Sequence, residues 1–567
     1  MANKIESDDM QATTSGARFL ADALVSWGVD HVFFMDAILR ETLVELEKQG
    51  VRRILAHSEK GAAYMADGYA RASNRVGVCM AQSVGAANLG AGLQDAYLNR
   101  TPVLALTGRK NAIFQHRNAY QELPHAPMYE AVTKSSADVA IPAQLPYLLT
   151  QALVEARSGT MRPVHLDLDG YRGAEIESAT LPLPDWALKS FLERRPSAVG
   201  IPDGDTLKRA AEQIASAARP ILVVGVGADQ PGIGEALASF AEAFSLPVAT
   251  SVGARSLIHT SHPMHFGVVG NYSAPYANAM LAKADLVIYA GCHVGDQITC
   301  DWKIPAMGVP IIQIDIDPVE IGRNYPGVYG LVGEPARVLA ALAVACGRQP
   351  AREAWLQACA KARQDWMDHM RPLLESEARP MRAERLAHAL SDCLPPDAIV
   401  VADTGFSATW TAQLTEFRQP GQRYLRAAGS LGWAFPAAIG AACAAPERPV
   451  ICFTGDGALH YHLSELETVV RWNLPVVTVI NNNRALGQGL RSVKKLYEGR
   501  KGTLDDLVLF KDVDFAEVAR TFGIAGVRVE DPAQVIPAIE QALASGRPAV
   551  IDVLTDPDCN PEPPWVP

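Results

Sequence analysis

The sequence predicts an α/β protein of three doubly wound domains with mainly parallel sheets. Three observations predict it. Short apolar runs of strand length alternate with helical stretches along most of the chain. Two stretches break that rhythm: one with Pro182, Pro184, Pro196 and Pro202, and a charged one over residues 347–375. Finally, Arg448 to Gly487 reads as strand, helix, strand, the unit that closes as a right-handed parallel crossover. Domains are therefore expected over residues 14–183, 203–346 and 376–567 of a 567-residue chain, a length that suits three or four.

Residues 1 to about 13 form a polar tail with no apolar signal core. A helix is expected over Ala17–Trp27, then a strand over Asp30–Phe34, a helix over Gly61–Ala72 and a strand over Val76–Ala81. Pro102–Thr107 and Val164–Leu168 complete the strands of the first domain. In the second domain they are Ile221–Val226, Val248–Ser251, Leu286–Ala290 and Ile311–Ile316. GVGADQPG at Gly225 is a partial dinucleotide fingerprint, because Gln230 stands where the third glycine would fall. Residues 347–375 read as a helical connector. In the third domain the strand Ala398–Ala402 leads into ADTGFSATW, where Gly405 and Ser407 are small enough to let a ligand approach. Beyond Asp556 the chain reads as an irregular tail of the kind that covers a site.

A net charge of −11 argues against a nucleic-acid binder. The nine cysteines are scattered and form no close zinc-type pair, which suits a reducing, cytoplasmic setting. No apolar run approaches a membrane span. The expected ligand is a small molecule.

The chemistry concentrates after residue 448. Val450–Phe453 is a strand that stops at Thr454-Gly455-Asp456-Gly457. A helix is expected from about Ala458, with Leu463, Leu466, Val469 and Val470 on one face, closed by Trp472 to Pro475. Val476–Ile480 is the next strand and ends in Asn481-Asn482-Asn483. If the two strands are neighbours, Asp456 and Asn483 emerge together at the carboxyl edge, where open α/β sheets bind ligands. A carboxylate and an amide oxygen are hard donors suited to Mg²⁺ or Ca²⁺. Gly455 and Gly457 allow close backbone approach, and the helix start at Ala458 offers free N–H groups to an anion. A divalent cation beside a helix start points to a diphosphate.

Between Gly457 and Asn482 lie residues 458–481, twenty-four in all. Gly-Asp-Gly, two dozen residues and Asn-Asn resembles the thiamine diphosphate motif. The chain resembles, over most of its length, the thiamine-diphosphate-dependent enzymes of the acetolactate synthase, benzoylformate decarboxylase and oxalyl-CoA decarboxylase superfamily. The resemblance implies a pyrimidine-binding first domain, a central domain and a diphosphate-binding third domain. It implies Mg²⁺ held by Asp456, Asn483 and the carbonyl of Ala485, with Arg484 departing from a common glycine. In HSEKGAAYMADGYARAS the family's glutamate carries over to Glu59, with Ser58 where relatives often have His. That glutamate hydrogen-bonds the aminopyrimidine and promotes the form that removes the thiazolium C2 proton. Gly85 and Asn88 keep the next family segment, while Val84 replaces a frequent proline. AYQE resembles the segment lining the substrate side, which makes Gln121 a site residue; His116 and His125 are nearby acid–base candidates or solvated loop histidines. GSLGWAFPAAIGA carries over a carbonyl that receives the 4′-amino group to Gly429, and the apolar prop of the bent cofactor to Leu431. QIDIDPVEIG matches the central domain, which in relatives binds FAD, ADP or nothing. First and third domains have similar rhythm, and the resemblance implies a homodimer or homotetramer with each active site between subunits.

The expected reaction makes or breaks a carbon–carbon bond on a 2-oxo acid, as in a decarboxylase or carboligase. A 2-hydroxyacyl-CoA lyase or oxalyl-CoA decarboxylase-like enzyme stands beside it. A flavin or nicotinamide oxidoreductase would leave Gly-Asp-Gly and Asn-Asn unexplained, and a non-catalytic relative would not need both Glu59 and the metal motif. A standard acetolactate synthase is not expected. Gly295-Asp296-Gln297 stands where such synthases have Asp-Asp-Arg, and LGQGLRSVKKLYEGRKG lacks their Met-Val-Arg-Gln-Trp. Arg491, Lys494, Lys495, Arg500 and Lys501 instead give a basic face suited to an anionic handle, and Pro124 adds a likeness to the CoA lyases.

Overall fold

The computed structural model describes residues 13–183, 188–191, 200–347 and 349–567. The expected polar tail, apart from residue 13, and most of the proline-rich stretch lie outside these. The chain divides into two compact units, residues 1–70 with 75–197, and residues 71–74 with 198–567.

The first unit holds β1 (Thr13–Ser15) and β8 (Thr180–Pro182), paired antiparallel, and a six-stranded parallel sheet. The sheet comprises β2 (His31–Phe34), β3 (Arg52–Leu55), β4 (Gly77–Ala81), β5 (Val103–Arg109), β6 (Ser135–Val139) and β7 (Val164–Asp169), in the order β3-β2-β4-β5-β7-β6. Every residue of β4 and β7 is buried, as helices on both faces of a parallel sheet require. Phe19, Leu20 and Leu24 of the helix Gly16–Ser26 join Val78, Leu104 and Leu166 in one core.

The second unit holds two such sheets. One contains β9 (Pro220–Val224), β10 (Val248–Thr250), β11 (His265–Val268), β12 (Leu286–Ala290), β13 (Ile311–Asp315) and β14 (Tyr329–Val332), in the order β11-β10-β9-β12-β13-β14. The other contains β15 (Ile399–Ala402), β16 (Arg423–Arg426), β17 (Val450–Gly455), β18 (Val476–Asn482), β19 (Ala525–Val529) and β20 (Ala549–Leu554), in the order β16-β15-β17-β18-β20-β19. Numbered within their own sheets, the first and third follow one order, 2-1-3-4-6-5, and the central sheet follows 3-2-1-4-5-6. The expected connector is the helix Glu353–Leu374, which buries Trp355, Trp366 and Met370.

Some boundaries differ from the expectation. The helix after Gly457 is broken into Asp456–Leu459, a 3₁₀ turn at His460–His462 and Glu465–Arg471. Val470 is exposed and Leu463 half-buried, so the apolar face narrows to Leu466 and Val469. β18 runs on to Asn482, because pairing with β20 continues through Asn482 and Leu554. The tail after Asp556 is irregular and lies within the second unit, where the Trp565 carbonyl accepts from Asn278 and Glu562 accepts from Trp366. The eight cysteines other than Cys346 are buried and unbridged, and no helix among the described residues is long and apolar enough to cross a membrane.

Candidate active site

β17 and β18 are parallel neighbours in the register Gly455 to Asn481, so Asp456 and Asn483 do leave the same sheet edge together. The order reverses between β15 and β17, which places a crevice at their carboxyl ends. Asp456 and Ala458 are 3% exposed. Burial pushes the Asp456 carboxyl up to about 7, and the N–H groups of Gly457 and Ala485 hold it back from rising further. The Asn483 Oδ1 accepts from the Ala485 N–H at 3.1 Å.

The Ala485 carbonyl direction follows from pairing. Ala485 bridges Leu509 antiparallel, and the flanking bonds run from Leu486 N–H to Val508 and from Phe510 N–H to Arg484. Ala485 thus forms a non-hydrogen-bonded pair with Leu509, so its own N–H and C=O face away from Leu509, the N–H toward Asn483. Arg484 sits at φ +56°, a left-handed position that suits glycine. Asn481 and Asn482 do other work: Asn482 donates to Asp552 at 2.8 Å, and Asn481 accepts from Thr555. A buried carboxylate, an amide oxygen and a main-chain carbonyl at one edge fit a hard divalent cation.

The small residues expected to meet a diphosphate lie around the same edge. Gly405 has φ +66° and opens the helix Phe406–Leu414. A Cβ on Gly455 would stand 3.8 Å from the Ser407 hydroxyl, whereas a Cβ on Gly457 would press within 2.9 Å of Leu486 and Phe510. Gly429 is exposed and Leu431 half-buried, so Leu431 is not a core residue. Their turn is held by Asp403, which is fully buried. Asp403 accepts from Thr404 and Gly432 at one oxygen and from Ala434 at the other, at 2.9–3.0 Å. The sequence reading passed over Asp403; a lone carboxylate at a strand end was its signal.

In the first unit Glu59 opens the helix Glu59–Ser73, and Ser58 caps it by accepting from Gly61 N–H at 2.9 Å. Asn88 donates to the Glu59 carboxylate at 2.7 Å. A Cβ on Gly85 would stand 2.5 Å from Glu59 Oε1, so glycine there leaves room for the carboxylate. Gln121 has φ +57°, and its buried Oε1 has no hydrogen-bond partner among the described residues. Next to it a cavity of about 820 Å³ is lined by Arg109, Lys110, His116, Asn118, Glu122 and His125. His116 is exposed, but His125 is 2% exposed, and its Nδ1 lies 3.0 Å from Asp167. Thr107 bonds both Asp167 and His165 at 2.7 Å. Burial holds His165 down to about 3, hence neutral, with Tyr129 stacked at 3.5 Å. Asp167 was not singled out from sequence, though His165, Asp167 and Asp169 alternate along β7 as one polar face.

The central fingerprint does not fit a dinucleotide. The N–H groups of Gly225 and Gly227 are spent on the carbonyls of Ala290 and Gly291, and those of Ala228, Asp229 and Gln230 on their own turn. The next helix begins only at Ile233. The amides that would cradle a diphosphate are already committed.

Three family descriptions match the chain. Residues 14–128 match the thiamine pyrophosphate enzyme N-terminal TPP binding domain, 207–342 the central domain and 403–553 the C-terminal TPP binding domain. A probable acetolactate synthase large subunit of Methanocaldococcus jannaschii is 31% identical over 563 residues, spanning 96% of this chain and 92% of that protein. The acetolactate synthase isozyme 2 large subunit of Escherichia coli K12 is 31% identical over 550 residues, spanning 96% of each. A putative thiamine pyrophosphate-containing protein of Bacillus subtilis is 28% identical over 566 residues, spanning 96% of this chain and 93% of that protein.

Proposed function

We propose that this chain, which belongs to the thiamine pyrophosphate enzymes and is an acetolactate-synthase-like member of them, makes or breaks a carbon–carbon bond beside the carbonyl of a 2-oxo acid. The observation that carries the reading is the buried Asp456 carboxylate beside Asn483 and Ala485 at the reversal of the third sheet. Thiamine diphosphate, when bound, supplies the carbon nucleophile and the electron sink. Asp456, Asn483 and the Ala485 carbonyl would hold Mg²⁺. Gly405, Ser407, Gly455, Gly457 and Ala458 would accept the diphosphate, the Gly429 carbonyl the amino group, and Leu431 the bend between the rings. Glu59, steadied by Asn88, would hold the proton at the pyrimidine nitrogen. Gln121 and His125 line the substrate side, where His125 is oriented by Asp167.

The assembly that suits this division is a homodimer or homotetramer, in which the partner subunit's Glu59 meets the cofactor held by Asp456. The central domain is given no nucleotide, since its fingerprint amides are occupied.

A standard acetolactate synthase activity is not proposed. Gln297 is exposed and uncharged where an arginine fork would meet a second carboxylate. A 2-hydroxyacyl-CoA lyase is the second reading, favoured by the exposed basic helix Gly487–Tyr497. Arg491 and Lys495 on it have no carboxylate partner among the described residues, while Lys494 pairs with Asp558. The deciding experiment gives purified holoenzyme a panel of 2-oxo acids and 2-hydroxyacyl-CoA thioesters, with products read by mass spectrometry. Turnover of a 2-oxo acid is expected. Acetolactate formed from pyruvate at roughly 10 s⁻¹ or faster, a typical rate for an enzyme on its own substrate, would overturn the exclusion.

A further inference from the structure

Arg255 is 7% exposed, and its fully buried Nε has no hydrogen-bond partner among the described residues, where no carboxylate forms an ion pair with it either. Its Cζ lies 5.4 Å from the centre of the Phe417 ring, and it lines a small, partly open cavity in the second unit. The neighbouring charges do not balance it. Glu416 is already engaged by Arg363 at 2.8 Å and by Arg418 at 3.0 Å, and Arg418 also takes Asp392 at 2.9 Å. Three guanidinium groups therefore face two carboxylates, and the surplus charge is the buried one. The carboxylate of Glu562 is close by in the fold but is held by Trp366 and His369. Burial pushes Arg255 down only to about 10, so it stays charged at neutral pH, while burial keeps His265 neutral.

Other groups lining the cavity have polar atoms left over, among them the buried Gln413 Oε1, which has no partner among the described residues. The Thr260 hydroxyl accepts from Phe417 N–H, which leaves its own proton uncommitted. The His265 Nδ1 has no partner. The free volume is about 30 Å³, enough for an occupant of water size or somewhat larger. An unpaired buried guanidinium is unfavourable unless a counter-charge accompanies it.

We propose that this cavity binds a halide-sized monovalent anion, held by Arg255, the Thr260 hydroxyl and the His265 ring. The anion completes a joint between the central domain, the connector helix Glu353–Leu374 and the carboxyl end of the helix Phe406–Leu414. The carboxy-terminal tail closes over that joint, since Gln413 donates to the Glu562 carbonyl at 3.2 Å.

The test uses the full-length protein loaded with Mg²⁺ and thiamine diphosphate. Gluconate is replaced by bromide at constant ionic strength, and thermal unfolding is followed. A saturable rise of about 2 °C or more is expected for the wild type. Arg255→Met, which keeps the bulk and removes the charge, should melt at a temperature independent of bromide. A crystal soaked in bromide should show one anomalous peak in the cavity, and this arm decides the matter if Arg255→Met does not fold. Equal responses of wild type and variant, or a cavity holding only water, would overturn the site.

Discussion

Asp456 carries its carboxylate into a buried position, where burial opposes its ionisation. Its folded value of about 7 lies above the ordinary 3.8, so the cofactor-free native state binds more protons than the unfolded chain between those values. The stability linked to that proton is fully present below pH 4 and is lost as pH rises through 7. Asp456→Asn should therefore melt higher than the wild type at pH 8 in the absence of cofactor, by up to about 2–4 kcal/mol of stability, and match it near pH 4. The same variant should fail to retain thiamine diphosphate. Parallel melting curves across that range would contradict this placement of the carboxylate. Glu59 gives a second residue-level prediction. Glu59→Gln should bind cofactor yet slow C2–H exchange, because the amide is close in shape but cannot hold the proton in the same way. Gly85→Ala should resemble it in milder form, since the added methyl occupies the place of Glu59 Oε1. NMR exchange on cofactor-loaded protein reads both, and wild-type exchange in either would remove Glu59 from the site.

Elements decide how precisely those residues are held. The turn at Gly429–Trp433 has little packing around Gly429, and it is Asp403, at the end of β15, that gathers the amides of Thr404, Gly432 and Ala434. Asp403→Ala leaves three N–H groups without their acceptor and should cost about 3 kcal/mol or more. Cofactor affinity, measured by titration, should fall more than tenfold; unchanged affinity would show that the turn holds itself. The strands on either side of the motif were legible because buried parallel strands read as apolar runs. The break after Leu459 was not: Leu463, Leu466, Val469 and Val470 keep helical spacing, and only packing reveals that Val470 faces outward. The Asn-Asn signature was legible as a pair, but the division of labour between Asn482 and Asn483 comes from strand alternation and from Asp552 across the sheet. The His125–Asp167 contact joins residues 42 apart, and no local pattern could have announced it.

Across the whole molecule, the recurrence of 2-1-3-4-6-5 in the first and third sheets bears out the similar rhythm of those two stretches. In each of these sheets the strand order reverses beside the first strand, between β2 and β4 in one and between β15 and β17 in the other, and candidate site residues gather at both carboxyl edges. The central sheet, ordered differently, has its own reversal between β9 and β12, and there the loops bond to each other instead of leaving amides free. The candidate site residues thus belong to the first and third sheets and not to the central one.

Glu59 belongs to one compact unit and Asp456 to the other. For a geneticist that division has a consequence. If the sites are shared between subunits as proposed, two dead alleles, Glu59→Gln and Asp456→Ala, should complement each other in the same cell. A mixed dimer places both lesions in one site and spares the other. Random pairing of equal amounts should restore about a quarter of the wild-type sites, as two-fold symmetry dictates. Co-expressed chains, purified through two different tags, should regain turnover that neither allele has alone. Mixed dimers that stay inactive would place both carboxylates of each site within a single chain.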